Sequence, residues 1–212
     1  MLNNNIDNYQ FERKLHSEGY TLIAGVDEVG RGPLAGPVVA SAVIMPVDCY
    51  IEGVTDSKKI SEKKRKELKE KIMEKAIAIS TIFIDEVVID EINIYEATKV
   101  AMLKAINSLK PAPDYVLIDA MPLEFDIPHE SIIKGDLKSY AIACASIIAK
   151  EARDDFMKEL DKEYPQYGFA KNMGYPTKMH REALIKYGAT KVHRKTYGPV
   201  AKVLNSEKRI SE

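Results

Sequence analysis

The chain has 212 residues, 45% of them hydrophobic and 30% charged, with a net charge of -1, a size and balance that bury a core without metal or disulfide staples and exclude a disordered chain. The longest apolar run, residues 37–47 with Ser41 inside it, is too short to span a bilayer, and the first twenty residues lack the basic start and apolar middle of a signal peptide. A cytoplasmic, non-membrane protein is expected, with Cys49 and Cys144 as free buried thiols rather than a bridge.

Residues 1–20 predict a short N-terminal helix or arm, since Tyr9, Phe11, Leu15 and His16 fall near helical spacing. "TLIAGVDE" and "PVVASAVIMP" follow as two strands of an antiparallel hairpin, joined by a turn rich in glycine that carries a single Arg31. Ser61 is a fitting N-cap for the helix-forming "SEKKRKELKEKIMEKA", and residues 76–84 predict a third strand. Residues 85–91, "DEVVIDE", form an acidic run before a helix expected from about Ile94 to Leu109. "DYVLIDA" at 114–120 has the continuous apolar pattern of a strand buried on both faces, and "ESIIKGD" at 130–136 repeats it on a smaller scale.

From Ser139 a long helix is expected, with Ala141, Ala145, Ile148, Ala149, Ala152, Phe156 and Leu160 as its packed stripe. The remainder alternates turn signals with a helix near 178–187. From Lys171 to Arg209 it carries ten Lys or Arg against two acids, a basic surface suited to a polyanion. Strands alternating with helices after an initial hairpin indicate one α/β domain, 1–212, with a mixed sheet, the arm 1–20 and a small C-terminal helical region from about 164 to 212.

Three of the strand-like segments close on acids: Asp27 with Glu28, Asp119, and Asp136. Side chains at strand ends of an α/β sheet face a crevice. Carboxylates gathered there repel and raise one another's pKa unless cations lie between them, and oxygen ligands without His or Cys favour Mg²⁺ or Mn²⁺. Adjacent strand residues point to opposite faces, so Glu28 needs a bulge, the start of the turn, or its own carbonyl to join Asp27.

The chain resembles the ribonuclease HII family over nearly its whole length. The resemblance is carried by "AGVDEVGRGPLAGPV" at 24–38, "DSKKIS" at 56–61, "KGDLKSYAIACASIIAKEARD" at 134–154, "YPQYGF" at 164–169, "GYPTKMH" at 174–180 and "HR" at 193–194. It implies an RNase H-like fold, a mixed five-stranded β-sheet flanked by α-helices. It also implies a monomeric endoribonuclease that cleaves the RNA strand of RNA–DNA hybrids and nicks 5′ to single ribonucleotides in duplex DNA, the first step of ribonucleotide excision repair. The family's acidic quartet falls on Asp27, Glu28, Asp119 and Asp136, holding Mn²⁺ or Mg²⁺, two ions per site. Its substrate-binding residues fall on Gly30, Arg31, Gly32, Lys58 and Tyr175.

In that reading the backbone of Gly30 to Gly32 meets the 2′-hydroxyl, Tyr175 stacks on the neighbouring deoxynucleotide sugar, and Lys58 neutralises phosphate, with Lys178, Arg181 and Arg194 as weaker candidates. His180 and His193 are expected to be structural or to hydrogen-bond near phosphate, rather than to ligate metal. Two positions depart from the family pattern: Met173 stands where relatives often carry Lys, and Ala120 where many carry Gly. The related ribonuclease HIII family, with a sizeable extra N-terminal domain, is the main rival, and the short segment before Ile23 argues against it.

Overall fold

In a computed structural model, residues 7–58 and 60–211 are described. The expected arm residues 1–6, and Lys59 of the "DSKKIS" motif, lie outside them. Five strands, β1 Ile23–Val29, β2 Val38–Ile44, β3 Ala78–Ile84, β4 Tyr115–Asp119 and β5 His129–Ile132, form one sheet in the order β3-β2-β1-β4-β5. The expected hairpin β1–β2 is antiparallel, β2–β3 likewise, while β1–β4 and β4–β5 are parallel. The mixed five-stranded sheet with flanking helices is therefore as expected.

Alternation along β1 sends Ala24 and Val26 to one face, where they pack with Val38, Ala40, Ala42 and Ile44 under α3, Glu86–Asn107. The opposite face is covered by α5, Tyr140–Glu163, with α1, Gln10–Ser17, and α2, Glu62–Lys75, beside it. At Gly25 the backbones of β1 and α5 approach so closely that a Cβ would sit 1.9 Å from the Ala141 carbonyl carbon. Only glycine fits there.

Local signals set several boundaries. Ser61 accepts from Lys64 N–H at the start of α2, Ser139 from Ile142 N–H at the start of α5, and Thr177 from His180 N–H at the start of α7, Lys178–Tyr187. Glu12 of α1, which the apolar pattern passed over, is buried and accepts from the Ser139 hydroxyl and Ala141 N–H, so the N-terminal helix is tied to the first turn of α5.

Three expectations are corrected. The helix expected from about Ile94 begins eight residues earlier, at Glu86, within the acidic run; Asp85 caps Val88 N–H, and Asn93, φ 69°, breaks α3 and caps the second piece through Tyr95 and Glu96 N–H. The packed stripe of α5 is as expected through Ala141, Ala145, Ile148 and Ala149, but from there it passes through Arg153 and Met157, which leaves Phe156 exposed. The expected C-terminal helical region includes α8, Gly198–Ser211, which carries the helix into the last residues of the chain. Cys49 is half-buried and only Cys144 is fully buried, both being free thiols. Between β5 and α5 lies the one-turn α4, Gly135–Lys138, and α6, Phe169–Asn172, precedes α7. Among the described residues no helix is long and apolar enough to cross a membrane.

Candidate active site

Asp27 and Asp119 lie on neighbouring parallel strands. Val26 pairs with Ile118, so the next residue of each strand turns toward the α5 face, at the carboxyl end of the sheet's centre. Glu28 belongs to the other face by alternation, yet its carboxylate joins them: ligand oxygens of Asp27, Glu28 and Asp119 all lie within 4.8 Å of one another. No bulge is used, because β1 and β2 stay in regular register through Val29–Val39. Glu28 is the penultimate residue of β1, where the longer side chain can pass the strand end.

Burial and crowding govern this cluster. Asp27 is 4% exposed; desolvation, then Glu28 and Asp119, push its pKa well above the ordinary carboxylate range, against hydrogen bonds from the Ser146 hydroxyl and Glu28 N–H. Glu28 is raised chiefly by burial, with Arg31, whose Nη1 lies 3.6 Å from Glu28 Oε1, pulling the other way. Asp119 Oδ1 accepts from Gly135 N–H at 2.6 Å, which locks the loop after β5 to the end of β4.

Asp136 was expected to close a strand. It sits instead in the first turn of α4, buried, next to Asp56 and outside the tight trio. Desolvation, then Asp119 and Asp56, raise its pKa. The strand ends at Ile132 because Lys134, φ 58°, turns the chain into α4.

Lys58 is exposed on the loop between β2 and α2, its N–H donating to Asp56. Partial burial opposes its charge, but Asp27, Asp136, Asp56 and Asp119 together raise its pKa, so its ammonium sits within their field. That loop is held from beneath by buried Arg65, which donates to the carbonyls of Ser57 and Ile60 and pairs with Glu151 and Asp154 of α5. Sequence patterning missed this network.

The glycine-rich turn is built differently from the expectation. Gly30 is buried at φ 96°, and a Cβ there would fall 2.3 Å from Arg153 Nε. Its missing side chain makes room for an arginine behind the turn. Gly32 is exposed, and a Cβ would meet the Tyr175 ring at 3.4 Å, so the turn and Tyr175, 41% exposed, stand side by side although 143 positions separate them. Arg194 is fully buried, its guanidinium donating to the carbonyls of Gly30, Arg31 and Gly36. It is therefore unavailable to phosphate. Lys178 and Arg181 are exposed.

His180 and His193 are fully buried, as structural histidines should be. Thr190 N–H donates to His193 Nδ1, which assigns the proton of that ring to Nε2; it donates to His180 Nε2, and His180 Nδ1 donates to the Tyr175 carbonyl. This neutral chain anchors the backbone of Tyr175. Ala120, φ 46°, follows Asp119 in a left-handed conformation that favours glycine, so the departure there carries a strain that the sequence alone did not reveal.

The ribonuclease HII family model matches residues 24–199. The chain belongs to the ribonuclease HII family. It is 59% identical over 190 residues to ribonuclease HII of Bacillus subtilis (strain 168), covering 90% of this chain and 74% of that protein. The crystal structure of ribonuclease H2 from Pyrococcus horikoshii OT3 superposes with a TM-score of 0.75 at 26% identity, covering 88% of this chain and 99% of that one. Bst-RNase HIII, crystallised with Mn²⁺, gives a TM-score of 0.71 at 19% identity over 92% of this chain and 72% of that one; it shares the RNase H-like fold. As a ribonuclease HII family member, the chain is a metal-dependent ribonuclease H that acts on the RNA strand of RNA–DNA hybrids.

Proposed function

We propose that this enzyme, beyond cleaving hybrid RNA, nicks duplex DNA 5′ to single embedded ribonucleotides and so opens ribonucleotide excision repair. The observation that carries the reading is the Tyr175 ring set beside Gly32, where a Cβ would meet it at 3.4 Å, four residues after a metal-ligating type of residue, Glu28. A ribonucleotide in DNA differs from its neighbours by one 2′-hydroxyl. Close backbone approach at Arg31 and Gly32 suits that group, and a half-exposed aromatic ring suits the sugar face of the next deoxynucleotide.

Asp27, Glu28 and Asp119, with Asp136 at their edge, fit hard divalent cations: every donor is a carboxylate oxygen, and three of them crowd within 4.8 Å in a buried setting that resists so much uncompensated charge. Mn²⁺ or Mg²⁺, two ions per site, would supply activation of water and stabilisation of the leaving oxygen. The protein's own part is to hold the acids in place, through the bonds to Asp27 and Asp119, and to set Lys58 where a phosphate beside the acids would meet its ammonium. Exposed Lys178 and Arg181 extend the positive side that would follow the DNA backbone.

One chain carries acids, turn and ring, which supports a single domain acting as a monomer, with residues from about 164 onward serving substrate binding. The test is a DNA duplex with one ribonucleotide incubated with Mg²⁺, Mn²⁺ or chelator. A single nick 5′ to the ribonucleotide, with either ion and never with chelator, is expected; cleavage of continuous hybrids alone would overturn the reading.

A further inference from the structure

Two arginines, Arg153 and Arg194, are 0% exposed, and among the described residues neither forms an ion pair. A buried guanidinium without a carboxylate is costly unless its donors are satisfied. Here backbone carbonyls satisfy them. Arg153 Nε donates to the Pro37 carbonyl at 2.9 Å, its Nη2 to that of Ala35 at 3.2 Å, and its Nη1 to that of Met173 at 2.9 Å. The first two belong to the segment that continues the Gly30–Gly32 turn, the third to the segment that delivers Tyr175. One planar group thus spans both.

The surroundings repeat the connection. Leu34 N–H donates to the Gly174 carbonyl at 2.8 Å, and a Cβ on Gly174 would fall 2.6 Å from the Ala35 carbonyl oxygen. Gly30 leaves the space that Arg153 fills. Because the Gly30 and Arg31 carbonyls face inward to Arg194, and those of Ala35 and Pro37 to Arg153, the turn and the segment that continues it are held from behind while Arg31 and Gly32 remain exposed.

We infer that Arg153 is a positioning residue for substrate recognition: its three-way hydrogen-bonding fork sets the distance between the Gly30–Gly32 turn and Tyr175, and thereby the match to a ribonucleotide–deoxyribonucleotide junction. The inference rests on the proposed reading of those two elements. Arginine is required because a fixed fork holds three carbonyls at set angles, which the single ammonium of lysine cannot do. A misplacement of about 1 Å between groups that must act together costs up to about a hundredfold in rate.

The test compares wild type with Arg153→Lys, which keeps the charge, on a single-ribonucleotide duplex and on a continuous hybrid, alongside amide hydrogen exchange. Expected is a loss in kcat/KM for the single-ribonucleotide duplex at least tenfold larger than for the hybrid, borne mainly by KM. Leu34 N–H should exchange faster while the amides of β1 and β2 keep their protection. An unchanged ratio of the two substrates, or unchanged protection of Leu34, overturns the inference. So does loss of protection throughout β1 and β2, which would make Arg153 a general stabiliser. A wild-type enzyme that leaves the single-ribonucleotide duplex uncut would instead sink the underlying reading, and the exchange at Leu34 would still report whether Arg153 fastens the two segments.

Discussion

Replacing Asp27 by Asn removes one charge from the crowded trio while keeping an Oδ1 to accept the Glu28 N–H, now bonded at 2.7 Å. Two unit charges 4.8 Å apart in an effective dielectric of about 20 repel by about 3.5 kcal/mol. Proton uptake by Asp27 relieves part of this in the metal-free protein, because its pKa is raised by burial and by Glu28 and Asp119. The residual cost that Asn abolishes is then about 2 kcal/mol, which for a chain of this length corresponds to a rise of about 4–8 °C in Tm. In chelator, Asp27→Asn should therefore melt higher than wild type, although it is inactive. Adding Mn²⁺ to a hundred times its Kd stabilises the wild type by about 2.7 kcal/mol, and the variant by much less. Differential scanning fluorimetry with EDTA and with Mn²⁺ reads both effects. A variant that melts below wild type in EDTA, or gains as much from Mn²⁺, would refute the placing of Asp27 at the centre of a cation site.

Four further outcomes follow from the same geometry. The His193 pKa is lowered to about 4 by burial and by His180, so folding requires the neutral ring. Stability is complete above pH 6.5 and falls as pH drops toward 4, by about 3 kcal/mol; urea midpoints measured across that range should fall less steeply in His193→Gln. Gly30→Ala combines a left-handed φ with a clash against Arg153 and should cost at least about 2 kcal/mol. Gly32→Ala should stay within about 1 kcal/mol of wild type in denaturation yet weaken binding of the single-ribonucleotide duplex, its Cβ filling the space beside the Tyr175 ring at 3.4 Å and keeping a sugar from close backbone approach. Ala120→Gly should raise stability by about 0.5–1 kcal/mol by relieving the left-handed alanine beside Asp119; a lower urea midpoint would count against strain at that position.

Much of the catalytic end of the sheet was legible because acids directly after apolar runs are visible in one dimension. Asp27, Glu28 and Asp119 emerged from that pattern, and the hairpin and the long α5 from periodicity and capping. Asp136 was assigned to the right neighbourhood but the wrong element, since a single left-handed residue, Lys134, ends β5 early. The stripe of α5 was right as far as Ala149 and misplaced by one position beyond it, because Arg153 occupies an apolar site; following Ala145 and Ala149 by fours would have arrived at it. Arg194 was taken for a surface cation because charge says nothing of burial when the compensating partners are backbone carbonyls, which every residue possesses.

The sequence by itself determined the strands and main helices, the acids that close them, and the family, because periodicity, capping and local motifs are properties of neighbours along the chain. Tertiary structure alone decided that Glu28 reaches across the strand end without a bulge, that Gly30 exists to admit Arg153, and that Tyr175 lies against Gly32. These are meetings of residues up to 143 positions apart, and their distances depend on how α5 and the C-terminal helices close over the turn, which no local pattern encodes.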